Sequence, residues 1–315
     1  MQKSSFYDIL LESFPPLAFI VEGLLPAGLF VLAGSPKVGK SLFVLDLCLS
    51  VALGLPFLGF PTTKSTVIYF AFEDNLRSLK ERAIKQSLDI FTKNDKLFII
   101  QDPIGLHSGL IEQIHRLMRK FPDTRLIVID VFEYIRDSKD AKLLLYQSDM
   151  RDMKILRQLT FHYPELTILL VHHTTKLVDQ NNVMNQVSGS TGLTGGTDGI
   201  FVLHKRQITD KQATLTCIMR EIESVEYQLE LDVGSLRWGR IDGEAGKLQK
   251  YSKPTIAEVF LEHVLADGAV SSREVKEKAT WLGITERQLK YVKKKLGVQT
   301  IQKGAREDTQ TFWKL

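Results

Sequence analysis

The most specific chemistry in the chain lies in nine consecutive residues: Gly34, Ser35, Pro36, Lys37, Val38, Gly39, Lys40, Ser41 and Leu42. From Gly34 to Ser41 they fit G-x-x-x-x-G-K-[ST]. Glycines at 34 and 39 keep the backbone free of Cβ atoms. Successive N–H groups can then turn inward and, with the following helix N-terminus, form an anion-binding concavity. Lys40 is expected to reach the β- and γ-phosphates of a nucleoside triphosphate, and the Ser41 hydroxyl to hold Mg2+. The setting agrees, because an apolar run at 29–33 precedes the motif and an apolar helical pattern at 41–52 follows it.

Hydrolysis needs a carboxylate for the metal and another group to orient or deprotonate the attacking water. Asp130 ends the apolar run 126–129 and is the expected metal partner of Ser41. Val131, not a glutamate, follows it, and Glu133 stands three residues on. Glu73 ends the run 66–72, expected beside the phosphate loop, and is the favoured group for the water; its other reading is a helix-capping role with Asp74. His172 and His173 close the run 166–171. Adjacent strand residues point to opposite faces, so only one can face the nucleotide. His173 is favoured, with His172 packed below, and the reverse assignment stays open. Lys205 and Arg206 close the run 200–204 at an expected edge, where an arginine can cross to the γ-phosphate of a neighbouring copy.

These groups sit at the ends of unbroken apolar, β-branched runs separated by helical patterns at 76–88, 110–121 and 143–163, with a short strand at 97–100. That alternation predicts an α/β domain with a mostly parallel central sheet. The closely spaced runs 200–204, 213–219 and 227–231 suit antiparallel hairpins added to the sheet edge. Residues 6–25 read as a lead-in packed beside the nucleotide strand. Residues 174–199 read as a long Gly-rich loop, too polar for the core.

With 315 residues, 44% hydrophobic and 25% charged, the chain has room for one large domain and one small one. Its longest apolar runs are strand-length and its start lacks a signal-peptide layout, so a cytoplasmic location with no membrane contact is expected. Cys48 and Cys217 lack metal-ligand spacing and read as reduced core thiols. The net charge of +4 divides unevenly: residues 1–249 hold 28 Lys+Arg against 29 Asp+Glu, and residues 250–315 hold 13 against 8.

The expected boundaries are 1–242, a linker at 243–254, and a small domain at 255–315. That tail has a helical pattern at 255–265, capping boxes at Ser271 with Glu274 and at Thr285 with Gln288 that open two more helices, and a hairpin at 298–313. In the third helix Leu289, Val292 and Leu296 share a face, while Arg287, Lys290, Lys293 and Lys294 lie mostly on the others. The order is that of a winged helix-turn-helix, whose third helix commonly enters a DNA groove. A docking domain with a solvated basic face is the other reading.

Taken in order, Gly34-Ser-Pro-Lys-Val-Gly-Lys-Ser41, Phe72-Glu-Asp74, Leu126-Ile-Val-Ile-Asp130, Val171-His-His-Thr-Thr-Lys176, Ser188-Gly-Ser-Thr-Gly192 with Thr197-Asp198, and Lys205-Arg206 span residues 20–235. This set resembles the RecA/DnaB superfamily of ring or filament ATPases, and more narrowly the RepA-type replicative helicases of plasmids and phages. The resemblance implies a RecA-like domain in which Lys40 and Ser41 bind phosphate and magnesium, Glu73 is the catalytic carboxylate and Asp130 the Walker-B residue. It makes His173 the γ-phosphate sensor and Arg206, or Lys205, an arginine finger. Residues 174–199, with Lys176, would contact DNA in a central channel. The segment after Asp130, with Arg136, Lys139 and Lys142, would be a second contact, although Val-Phe-Glu stands where relatives often have Pro-Leu. The implied partners are single-stranded DNA, further copies of the chain in a hexamer, and DNA or a replication protein at the tail. The implied activity is that of an ATP-driven helicase of a mobile element. The alternatives are an ATP-regulated DNA-binding regulator and a recombinase-like filament ATPase without unwinding activity.

Overall fold

The computed structural model describes residues 6–11, 13, 15–86, 95–136, 145–174, 191–241, 256–266, 268–281, 284–303 and 310–315. A short helix α1 (Phe6–Leu11) and a hairpin of β1 (Phe19–Val21) and β2 (Leu25–Pro26) lead into β3 (Gly28–Gly34) and α2 (Lys40–Leu53). Then follow β4 (Thr66–Ala71), α3 (Leu76–Gln86), β5 (Leu97–Ile100), α4 (Ile111–Lys120), β6 (Thr124–Asp130), α5 (Leu145–His162) and β7 (Thr167–His173). The sheet is completed by β8 (Gly199–His204), β9 (Gln212–Met219), β10 (Val225–Asp232) and β11 (Arg237–Arg240), with α6 (Thr191–Gly195) before β8.

The sheet order is β11-β10-β9-β8-β3-β7-β6-β4-β5, parallel from β8 to β5 and antiparallel from β8 to β11. Along β3, Leu29, Val31 and Ala33 pack into the layer with Ile114 of α4 and Leu156 of α5, while Phe30 and Leu32 pack with Val44 and Leu47 of α2. A strand covered on both faces needs an apolar residue at every position, which is why these runs show no alternation. Asp130, His173 and the phosphate loop all come at the C-terminal ends of β6, β7 and β3, which gathers them at the carboxyl end of the parallel strands. Cys48 and Cys217 are buried, and burial raises both thiols. No helix among the described residues is long and apolar enough to cross a membrane.

Four sequence expectations change. The strand that carries Glu73 is not beside the phosphate loop: β7 and β6 lie between β4 and β3. All these strands are equally apolar, so local pattern carries no record of their lateral order. The run 200–204 is not an antiparallel addition at the edge but an interior strand, parallel to β3 with Phe30 opposite Gly199. A fourth added strand, β11, escapes the sequence reading because Arg-Trp-Gly-Arg has no apolar alternation. Finally, the end of the supposed polar loop belongs to the core, where Leu193 of α6 and Thr197 are buried. Residues 175–190, which include Lys176, lie outside the described residues, as do Lys139 and Lys142.

Asp198 explains why β8 lands where it does. Its Oδ2 accepts from the Leu29 N–H at 2.9 Å and its Oδ1 from Arg157 at 2.7 Å, while its own N–H donates to the Leu29 carbonyl at 2.8 Å. One carboxylate thus pins the start of β3 to α5 and to the entry of β8. Asp198→Ala would orphan a buried N–H and an arginine, so a loss of about 2–3 kcal/mol is expected from urea midpoints. A loss below about 0.5 kcal/mol, the level of an ordinary surface substitution, would contradict this role.

The tail folds as α7 (Ile256–Leu265), β12 (Val270–Ser271), α8 (Ser272–Trp281), α9 (Glu286–Lys295), β13 (Gln299–Lys303) and β14 (Gln310–Lys314), with strand order β12-β14-β13. Its core joins Phe260, Leu261, Val275, Leu289, Val292 and Trp313 and, among the described residues, includes none of the large sheet. The Thr285 hydroxyl caps α9 by accepting from Gln288 N, and Gln288 returns the bond to Thr285 N. Arg287, Lys290 and Lys294 are exposed as expected. Lys293 is not a free cation: its ammonium donates to Thr300 Oγ1 at 2.6 Å and lies 4.3 Å from the centre of the Trp313 ring.

Candidate active site

Gly39 is the N-cap of α2 with φ 109°, a conformation that glycine adopts without strain. Lys40 follows and turns its side chain back over the loop. Its Nζ donates to the Gly34 carbonyl at 2.7 Å and the Ser35 carbonyl at 3.2 Å, and lies 3.3 Å from His173 Nδ1. Burial lowers its pKa, against the pull of Asp130, Glu73 and Glu133, so its ammonium faces three carboxylates.

Asp130 is 2% exposed, and Tyr69, from the neighbouring strand β4, donates to its Oδ2 at 3.0 Å. Burial pushes the carboxyl up to about 6, opposed by Tyr69 and the nearby Ser41 hydroxyl and reinforced by Glu73 and Asp74. Its Oδ1 is buried and makes no hydrogen bond of proper geometry among the described residues. A carboxylate oxygen left over next to a serine hydroxyl, at the mouth of a phosphate loop, fits a divalent metal.

The raised pKa has a stability consequence with a definite sign. Between about pH 4 and pH 6 the folded chain holds a proton that the unfolded chain has released, so this group's contribution falls as pH rises through that window. A shift of about two units corresponds to about 3 kcal/mol. Asp130→Asn, which still accepts from Tyr69, is therefore expected to be about 1–3 kcal/mol more stable than the parent at pH 8 and nearly equal to it at pH 4. Urea unfolding without magnesium or nucleotide reads this, and equal stability at pH 8 would contradict it.

The two histidines part company. His173 stands between the elements of the site, with Nδ1 toward Lys40 and Nε2 3.6 Å from Glu73 Oε1. His172 is buried, and its Nδ1 lies 2.6 Å from Glu133 Oε1. Burial alone would raise Glu133, but the His172 contact and charge outweigh it and hold the carboxyl low. Because β7 lies between β3 and β6, its end reaches both the phosphate loop and Glu73. The sheet order thereby brings together Lys40, which follows β3 and its loop, and Glu73, which follows β4, although β3 and β4 are not neighbours.

Lys205 and Arg206 follow β8, which lies on the other side of β3. Lys205 stands 5.4 Å from the centre of the Trp238 ring, and the Trp238 indole N–H donates to the Gly39 carbonyl at 3.3 Å. Arg206 is exposed and makes no hydrogen bond or ion pair among the described residues. Arg136, expected to track a nucleic-acid backbone, is instead paired inside the protein. Its guanidinium meets Asp149 at 2.6 Å and Asp152 at 3.4 Å, two buried carboxylates of α5 that need a counter-charge. Sequence reasoning missed Tyr69 and Trp238. Tyr69 is one aromatic among several in a strand, and Trp238 meets Gly39 from 199 positions away.

Residues 2–179, more than half of the chain, match the model of a family described as AAA domain. The chain belongs to this AAA-domain family. No curated protein matches the AAA-domain chain in sequence. Among the solved structures that share its fold are the following two. One, described as an ATPase domain, is 12% identical with a TM-score of 0.56, and the match covers 69% of this chain and 85% of that one. The other is a DnaB-like replicative helicase solved for its interactions with primase, also 12% identical with a TM-score of 0.56, with 74% of this chain and 66% of that one covered. At such identities the likeness is one of fold. The AAA-domain chain therefore has a RecA-like α/β architecture like that of these ATPase structures, with the phosphate loop, Asp130 and His173 at the C-terminal ends of its parallel strands.

Proposed function

We propose that the chain is an ATP-hydrolysing motor that assembles as a hexameric ring on single-stranded DNA and serves as a replicative helicase of plasmid or phage type. The observation that carries this reading is Arg206, exposed and without a hydrogen bond or ion pair among the described residues, just past the end of β8, the strand next to β3. An unpaired arginine at that place suits a γ-phosphate held by a neighbouring copy.

In this reading Lys40 exchanges the carbonyls of Gly34 and Ser35 for the β- and γ-phosphates of ATP. Glu73 takes the proton of the attacking water, and His173, in reach of both Lys40 and Glu73, senses whether the γ-phosphate is present. Ser41 and Asp130 are the residues that would hold Mg2+, which when bound would supply positive charge against the phosphates. The segments 137–144 and 175–190 directly follow the Asp130 turn and the His173 strand, so Lys139, Lys142 and Lys176 are proposed DNA contacts. The tail, read as a winged helix-turn-helix, offers Arg287, Lys290 and Lys294 on α9 to DNA or to a replication protein. The division into 1–242, 243–254 and 255–315 belongs to the same reading.

Native mass spectrometry with ATP and magnesium, together with a forked DNA substrate, tests it. The expected result is a closed six-copy species and strand displacement that requires ATP. Full ATP consumption by a species that stays monomeric would refute the proposal. Open filaments without displacement would favour the recombinase-like reading, and duplex binding without unwinding the regulator.

A further inference from the structure

Lys205 precedes Arg206 directly, yet it is engaged inside its own copy. Its ammonium faces the ring of Trp238, which is buried and donates to the Gly39 carbonyl. A Cβ added at Gly39 would fall 2.9 Å from Trp238 Cζ2, so ring and loop are in full contact. At the other end of the loop, a Cβ at Gly34 would fall 2.7 Å from the Leu203 carbonyl of β8. Both loop glycines therefore press on the structure that borders Arg206. β11 is also held to the phosphate-loop helix: Arg237 Nε is 2.7 Å from Asp46 Oδ1, and Gln86 Nε2 donates to the carbonyls of Leu42 and Leu236. With no slack in this packing, a shift of the loop as phosphate enters must displace Trp238 or the end of β8.

We propose that Lys205 is a positioning residue that couples each copy's own phosphate loop to the Arg206 it presents to the next copy. Gly39, Trp238, Lys205 and Arg206 form the chain of contact, and the cation–π pairing is the link that keeps Arg206 in step with the loop. Nucleotide in one site then sets the competence of the adjoining site. This rests on the shared-site reading above.

Turnover, nucleotide affinity and thermal midpoint are compared for Lys205→Met, Lys205→Arg, Arg206→Ala and the double variant Lys205→Met with Arg206→Ala. Lys205→Met is expected to lower turnover by about tenfold with affinity and midpoint unchanged, and Lys205→Arg to restore it, because a guanidinium stacks on an indole at least as well. The double variant is expected to be no slower than Arg206→Ala alone, because Lys205 acts through Arg206. A silent Lys205→Met, an additive double variant, or failure of the arginine to rescue would overturn the coupling while leaving the shared site standing. Normal turnover by Arg206→Ala would overturn the shared site itself, and the coupling with it.

Discussion

Arg206→Ala is expected to lower ATP turnover by about 10^3-fold or more while leaving nucleotide affinity nearly unchanged. The magnitude follows from what a guanidinium does for phosphoryl transfer: it meets charge that grows on the γ-phosphate in the transition state and is weaker in the ground state. The sparing of affinity follows from the fold. In the proposed mechanism Lys40, Ser41 and the backbone of the phosphate loop hold the ground-state phosphates, and Arg206 makes no hydrogen bond to any of them. Mixing experiments add a test that a defect within one copy cannot pass. Arg206→Ala copies keep an intact phosphate loop, and Lys40→Ala copies keep an intact Arg206. An equimolar mixture of the two inactive proteins should regain activity at roughly a quarter of interfaces if copies assort at random around a ring. A mixture as inactive as its components would place catalysis inside a single copy.

The second large effect is that of Lys40→Ala, with turnover expected to drop by at least about 10^3-fold. Lys40 is buried against three carboxylates that reinforce its charge, and it lies within hydrogen-bond reach of both loop carbonyls and His173. Removing it takes away the nearest positive charge and leaves Asp130, Glu73 and Glu133 facing an incoming polyanion. Unlike Arg206→Ala, this variant should also bind nucleotide more weakly, a split that equilibrium binding at fixed magnesium reads directly. Wild-type affinity in Lys40→Ala would mean that the loop backbone alone holds the phosphates.

Some of the candidate site was legible because its signals are local. The spacing of Gly34, Gly39, Lys40 and Ser41 is fixed by what a phosphate demands of a backbone. Asp130, Glu73 and His173 stood out because charged groups that end buried strands have few structural reasons to be there. The capping box at Thr285 appears as expected, since its bonds span only three residues. Arg136 failed for the opposite reason: its partners Asp149 and Asp152 lie on a helix 13 and more positions away, and nothing nearby in the chain announces them.

The amino-acid sequence by itself determined that a phosphate loop lies between a strand and a helix, that the domain is α/β, and which side chains terminate its strands. Each of these depends on hydrogen bonds and burial within a few residues. Only the tertiary structure decided the lateral order of the strands, which puts β7 between β3 and β6 and so carries His173 to Lys40 and Glu73 together. It also decided that β8 runs parallel beside β3 and that Trp238 closes on Gly39. Strands with the same apolar surface are interchangeable until long-range contacts such as that of Asp198 with Leu29 and Arg157 select one arrangement.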